Sequence, residues 1–388
     1  MSYTLDANAS QRLQAYFDNI GQRLKHCKQR ESFAIYALGL MMEGERKSVE
    51  PIAARACADP ARVRATTEKL LHFIGDSNWD DHSIRQFVAH YAIEAMTAHE
   101  PIESWIIDDT GFPKQGNKSP GVQRQYSGTL GKTANCQVAP SLTIATRSAQ
   151  LPIDMELYLP ESWTNDPERC KAARIPAGIE FRPKWRIALD LIERALRAGV
   201  PKALVLADAG YGNTADFRQR LTDLGLDYAV GVQDSTRVEV ITAGGKACPF
   251  MSAADVADIL ETSGFQRVTW REGTRNALSS RFAAVRVRVI SGKRKRSQEQ
   301  WLVIERPVPD KSPTHYTLCT LPAAIPREEL VRRIKQRFRI ERTYEDLKGE
   351  LGLDHYEGRT YRGFHHHITC ALACYAFLVA ERSRAFPP

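Results

Sequence analysis

Ser104-Trp105-Ile106-Ile107-Asp108-Asp109 is the stretch on which the fold turns. An apolar run that closes in acids reads as a short strand reaching a polar edge. Side chains alternate across a strand, so Trp105, Ile107 and Asp109 share one face and Ile106 and Asp108 the other. Further on, Ala203-Leu204-Val205-Leu206-Ala207-Asp208 repeats the pattern and runs into Ala209-Gly210-Tyr211-Gly212. A continuous apolar run suits a strand buried on both faces of a parallel sheet. Ligands of open α/β sheets bind at the carboxyl ends of such strands.

Working outward, residues 137–146 and 151–159 read as further strands, bounded by Pro and Ser. Residues 185–198 form an amphipathic helix through Ile187, Leu191, Ile192 and Leu196. A helix over 213–224 and a strand over 228–232 follow. The text from 234 to 320 is polar and β-like, with candidate strands at 236–242, 280–290 and 300–305. Pro326 then opens a long helix with Glu328 and Glu329 in its first turn, both start signals, and Gly352 is placed to cap it. A last helix covers 364–384. Before the first strand, Tyr16, Ile20 and Leu24, then Phe33, Tyr36, Ala37 and Leu40, recur at helical spacing. The expected fold is α/β, a mixed-sheet core interrupted by a second, inserted sheet. Its parts are an N-terminal helical domain (1–98), the first part of the core (99–233), a β-rich insertion (234–322) and closing helices of the core (323–388).

The 388 residues carry 54 Lys+Arg against 46 Asp+Glu, a net charge of +8, and 43% are apolar. That apolar share excludes a disordered chain. The longest uncharged apolar run, 368–380, is short of the roughly 20 residues a membrane-spanning helix needs, so no membrane partner is expected. The start of the chain lacks a basic region followed by an apolar one, so no secretory leader is expected. Eight scattered cysteines without a CxxC pair read as reduced, cytoplasmic and structural. The surplus of bases is a weak pointer to a polyanion such as nucleic acid.

On the long helix, at about 100° per residue, Leu330, Ile334, Phe338, Tyr344 and Leu351 form a core-facing stripe. Arg337, Glu341 and Lys348 lie in the middle of that stripe. A buried carboxylate must be paired or bind a cation; a salt bridge to Arg337 is the plain alternative. Asp109 and Asp208 taken singly also fit ordinary cap roles. Two strand-end aspartates and a helical glutamate together make an oxygen-rich site suited to Mg²⁺ or Mn²⁺. Two such ions about 3.5–4 Å apart activate the attacking oxygen and stabilise the leaving one in phosphodiester cleavage.

WIIDDTGFPKQG, LADAGYG and RFRIERTYEDLKGELGLDHYEGR resemble the three signature regions of the DDE transposases of bacterial insertion sequences. The likeness extends to GERKSVEPIAAR, QRQYSGTLGKTANCQVA and GFHHHITCALACYAFL, and so to nearly the whole chain. It resembles the cut-and-paste group with a β-strand insertion between the second Asp and the Glu. In that group the first catalytic Asp precedes Thr, which points to Asp109-Thr110 over Asp108. The resemblance matches the second to Asp208 and the third to Glu341, within a Tyr-Arg-Glu-Lys pattern that here reads Ile334, Arg337, Glu341, Lys348. Ile334 stands where the family has Tyr. The resemblance implies a ribonuclease-H-like core and two Mg²⁺ or Mn²⁺ ions held by Asp109, Asp208 and Glu341. It further implies cleavage and joining of double-stranded transposon-end and target DNA by a bacterial, nucleoid-associated enzyme that is a homodimer when synapsed.

Candidate DNA contacts are Arg337 and Lys348 beside the glutamate, the run Lys293, Arg294, Lys295 and Arg296, and Arg124 and Lys132 after the first acids. Phosphate contacts of this kind add salt-dependent affinity and no sequence information. A catalytically silent DNA-binding descendant of a transposase is the alternative reading. A two-carboxylate glycosidase leaves Glu341 and its flanking bases without a role. His365-His366-His367 do not make a zinc site, because consecutive helical residues point about 100° apart.

Overall fold

The computed structural model describes residues 7–128, 131–242, 244–245, 247–260, 263–271, 278–291, 295–307 and 315–388. Helices α1 (Ala7–Gly21), α2 (Cys27–Met41), α3 (Val49–Ala56), α4 (Val63–Gly75) and α5 (Asp81–Met96) come first. Strands β1 (Ser104–Pro113), β2 (Gln123–Ser127), β3 (Lys132–Ala145) and β4 (Gln150–Met155) follow. Then come α6 (Glu161–Thr164), α7 (Pro167–Ala172), α8 (Lys184–Arg197), β5 (Leu204–Ala207), α9 (Ala209–Gly212), α10 (Ala215–Asp223) and β6 (Tyr228–Val232).

The core has the ribonuclease-H-like order. β1 lies between β3, antiparallel to it, and β5, parallel to it, and β6 continues in parallel beyond β5. β2 and β4 share the far edge of β3, β2 on Lys132–Cys136 and β4 on Ser141–Ala145. The apolar runs dictate this arrangement. Leu204–Ala207 is buried throughout, as a strand with helices on both faces must be. α8 turns Ile187, Leu191, Ile192 and Ala195 inward.

β1 does not stop at its acids. It continues to Pro113 because β3 pairs with it along its whole length, from Ser104↔Ala145 to Pro113↔Cys136. The parallel partner is shorter, with the last pair at Ile106↔Leu206. Asp108 and Asp109 therefore lie just past the end of β5, next to the turn that begins at Asp208.

The insertion holds β7 (Arg237–Val240), β8 (Met251–Ser252), α11 (Ala253–Ile259), β9 (Gln266–Arg271), β10 (Leu278–Ser291), β11 (Lys295–Arg296), β12 (Gln300–Arg306) and β13 (His315–Cys319). It is not a second sheet, as the sequence led us to expect. β13 pairs antiparallel with β6, from Tyr316↔Val232 to Cys319↔Ala229, and the order β6-β13-β12-β10-β7-β8 carries the core sheet onward. Lys295 and Arg296 belong to a strand paired with the end of β10, whereas Lys293 and Arg294 lie outside the described residues.

The long helix is interrupted. α12 (Arg327–Lys335) passes through a 3-10 turn at Gln336–Phe338 into α13 (Arg339–Gly349). A 3-10 turn advances about 120° per residue, so the apolar stripe computed for one straight helix rotates. Ile340, Thr343, Tyr344 and Leu347 are the buried residues of α13, Phe338 is only half-buried and Glu341 is exposed.

The closing helix α14 (Tyr361–Ala385) runs among the N-terminal helices. Tyr16 Oη donates to Ala373 O at 2.8 Å, and Cys374 Sγ lies 3.4 Å from Ala37 O. It is the described helix long and apolar enough to cross a bilayer, and 89% of its most apolar window is buried inside the fold. The three histidines work as core polar groups. His367 accepts from Tyr36 Oη at 2.9 Å and donates to Leu353 O at 3.1 Å. His366 stacks on Trp79 with ring centroids 3.7 Å apart. Burial pushes both down to about 4, so they are neutral at pH 7. An ion network ties this layer to the core sheet: Arg85 of α5 bonds Asp81 (2.7 Å) and Asp154 of β4 (3.0 Å), and Arg194 of α8 bonds Asp154 and Glu156, both at 2.8 Å.

Candidate active site

Asp208 caps the four-residue helix α9, its Oδ1 accepting from Gly210 N at 2.9 Å. Gly212, in the same turn, lies so close to β6 that an added Cβ would stand 2.0 Å from Gly231 O and 2.8 Å from Val230 Cβ. Backbone cannot yield to that extent without moving the turn. Gly212→Ala is expected to cost about 1–3 kcal/mol and to lower the melting temperature; an unchanged melting temperature would refute the packing described.

The faces of β1 separate its two acids. Ser104 Oγ bonds Gln336 Oε1 at 2.9 Å, Arg337 Nη1 donates to Asp108 Oδ2 at 3.2 Å, and Ser141, opposite Asp108 on β3, bonds Tyr344 Oη at 2.7 Å. The even-numbered face is therefore the one covered by the 3-10 turn, which carries Gln336 and Arg337, and by α13, which carries Glu341 and Tyr344. Asp109 points to the other face, where Lys184 at the start of α8 pairs with its Oδ2 and Tyr211 Oη donates to its Oδ1. The resemblance points to Asp109; on the strand, Asp108 is the acid on the side of Arg337 and the helix of the glutamate.

Asp208, Trp270, Glu305, Ile334, Arg337 and Glu341 line one cleft of ≈ 260 Å³ between the turn, the insertion and α12–α13. Glu341 is not the buried, obligatorily paired acid expected from the helical wheel. It stands exposed on the rim. Glu345, one turn on, is turned away from Asp208 and pairs with Arg342 at 3.6 Å. Ile334 lines the cleft without a hydroxyl to offer.

Burial pushes Asp108 up to about 7, and the charges of Asp208 and Asp109 add to the rise while Arg337 opposes it. Among the described residues no three His, Cys, Asp or Glu side chains stand close enough to hold an ion as they are. The donor set nevertheless suits a hard divalent cation. It is all oxygen, and Asp108 sits in a field of like charge that a cation relieves. The cations now on these acids are Arg337 and Lys184.

The raised value of Asp108 couples stability to pH. An aspartate unfolded ionises near 3.9, so between pH 4 and 7 the folded chain holds a proton that the unfolded chain has lost. Stability then falls as pH rises through that window and levels above 7. Asp108→Asn is expected to be more stable than wild type by about 1–3 kcal/mol at pH 8. The gain should vanish below pH 4. Equal stabilities at pH 8 in metal-free denaturant titrations would contradict the burial of this charge.

Of the other candidates, Lys348 Nζ donates to Gly111 O at 2.8 Å and lies 5.6 Å from the Phe112 ring, and burial lowers it to about 8. It braces the extension of β1. Arg124 is exposed on β2, on one face with Tyr126, and Lys132, opposite Ser127, is exposed on the other face of the hairpin. Lys184, Tyr211 and Trp270 were not found by sequence reasoning. Only the alternation across β1 hinted that its two acids have different surroundings.

A ribonuclease-H-like sheet with aspartates at its open strand edge and a glutamate on a closing helix defines a class of carboxylate-bearing α/β proteins. The chain matches the family model described as DDE superfamily endonuclease over residues 19–277 and that described as Transposase DDE domain over residues 185–377. It belongs to the DDE transposase family. It is 31% identical over 212 residues to a protein of Microchaete diplosiphon named "Probable transposase for insertion sequence element IS701". That alignment takes in 54% of this chain and 51% of the relative, so the chain spans about half the length of the relative it matches.

Proposed function

We propose that the chain is a transposase that nicks transposon-end DNA and joins the freed end to target, using Asp108, Asp208 and Glu341 with two Mg²⁺ or Mn²⁺ ions. What carries the reading is that Asp208, Arg337 and Glu341 line one cleft and Asp108 pairs with Arg337 beside it, in a chain of the DDE family. Bound ions would lower the pKa of an attacking water and stabilise the leaving 3′ oxygen. Asp109, proposed from the resemblance as the first acid, keeps a supporting place beside them.

The side chains around the acids have their own parts. Arg337 neutralises Asp108 in the free protein and is placed to take a phosphate once Asp108 is otherwise engaged. Arg124, Lys132 and the Lys293–Arg296 run would meet the backbone of double-stranded DNA, adding affinity that salt weakens. The N-terminal helices (1–98) would hold the terminal repeats, and synapsis of two ends implies a homodimer on DNA in a bacterial cytoplasm. Lys348 contributes by holding β1, with DNA contact only if it leaves Gly111.

The test is incubation of the full chain with a duplex carrying the element's terminal repeat and Mg²⁺. The expected product is a nick leaving a 3′-OH at the repeat end, abolished by EDTA and restored by Mn²⁺. The silent-descendant reading draws on one observation, that Asp108 and Asp109 are each already held by a base. Tight repeat binding with no nick under any divalent ion would establish it in place of the enzyme.

A further inference from the structure

We infer that an anion site remote from the acidic cleft lies between α10 and the strands of the insertion, where Arg218 takes a phosphate group carried by a small molecule or by a DNA backbone. The cavity that forms it shares no lining residue with the acidic cleft. It stands at the amino end of β6, whereas Asp208 follows the carboxyl end of β5, the parallel neighbour.

Arg218 lies on α10 and is 8% exposed. A guanidinium cannot shed its proton to escape burial, so it calls for an opposite charge. Arg85, the other buried arginine among the described residues, has two, Asp81 and Asp154. Among the described residues no carboxylate pairs with Arg218. It donates to Gly212 O, which is a dipole and not a charge. Burial pushes Arg218 down, and what opposes this is the Tyr228 hydroxyl, itself neutral at pH 7 because burial pushes it up.

Arg218 borders a cavity of ≈ 500 Å³. The insertion makes this space by carrying the sheet onward past β6. Tyr228, Gln300 and Ser297 give it a polar floor: Tyr228 Oη donates to Gln300 Oε1 and Gln300 Nε2 to Ser297 Oγ, both at 3.1 Å. Two acids reach the lining, and both are engaged elsewhere. Asp227 accepts from Thr320 Oγ1 at 2.9 Å, and Glu299 pairs with Arg288 at 2.6 Å. An arginine fork matches phosphate oxygens two at a time. The volume leaves room for the group that bears the phosphate, and the surplus charge of +8 draws such anions in.

The experiment titrates the full chain with inorganic phosphate by calorimetry in EDTA, comparing wild type with Arg218→Gln, Gln219→Glu and Arg337→Ala. Wild type should bind phosphate saturably. Arg218→Gln should weaken binding about 100-fold or more, the scale of loss when one side of a buried charge pair is removed. Arg218 also holds Gly212, so Gln219→Glu supplies a variant that leaves that bond in place. Gln219 is exposed on the lining of the cavity; a negative charge there should weaken binding about tenfold and leave the melting temperature unchanged. Arg337→Ala, in the acidic cleft, should bind phosphate as wild type does. A wild type that takes up no phosphate would overturn the inference, as would wild-type affinity in both Arg218→Gln and Gln219→Glu, or loss of binding in Arg337→Ala alone. Competition then identifies the source: a duplex that displaces phosphate from wild type assigns the site to DNA backbone, and a duplex that does not assigns it to a small phosphate-bearing molecule.

Discussion

Asp108→Ala, Asp208→Ala and Glu341→Gln should each reduce nicking of a terminal-repeat duplex by about 10³-fold or more. That is the scale of loss when a group stabilising transition-state charge is removed. Binding of the same duplex should survive in all three, since the DNA-holding bases are untouched. The contrast within β1 is the sharper part. Asp109→Asn, one residue away on the opposite face, should keep much of the activity because its neighbours Tyr211 and Lys184 lie away from α13. Gel assays of nicked product under single-turnover conditions measure both. Equal loss in Asp108→Ala and Asp109→Asn would remove the basis for distinguishing the two faces.

Arg337→Ala should move two affinities in opposite directions. Its guanidinium lies 3.2 Å from Asp108 Oδ2 and competes with any cation for that oxygen. At an effective dielectric near 20, a unit charge about 5 Å from a bound divalent cation costs on the order of 6 kcal/mol before screening; solvent at the partly exposed Arg337 removes most of that, so Mg²⁺ affinity should rise about tenfold or more without DNA. The measurement belongs at pH 8.5, because Arg337 also lowers Asp108 from a still higher value and a proton would otherwise take its place. Duplex affinity should fall, and the dependence of binding on salt should flatten by about one counterion. Weaker Mg²⁺ binding in the variant would show that Arg337 helps build the ion site instead of guarding it.

Much of the core was legible in the chain. The apolar runs before Asp108 and Asp208, the amphipathic pattern of α8 and the Pro326 start of α12 are local signals, and each produced the element expected. What escaped depends on contacts far apart in sequence. β1 runs on to Pro113 because β3 holds it there, and nothing in Thr110–Pro113 announces a strand. The insertion joins the core sheet through β13 and β6, a pairing of residues near 230 with residues near 317. Gln336–Phe338 contains neither Gly nor Pro to mark the 3-10 turn, so the wheel drawn through it buried Glu341 wrongly. For the acids, alternation correctly set Asp108 and Asp109 on opposite faces. Which face would meet the helix of Glu341 was a matter of packing, and Ser104–Gln336, Asp108–Arg337 and Ser141–Tyr344 decide it.

The most direct test of the account is a crystal structure of the full chain with Mn²⁺ and a terminal-repeat duplex, read by anomalous scattering. Mn²⁺ peaks within coordination distance of Asp108, Asp208 and Glu341, with Arg337 moved from Asp108 to a phosphate, are the predicted result. Peaks bound through Asp109 with Asp108 still paired to Arg337, or DNA seated on another face with no ion among these acids, would contradict it.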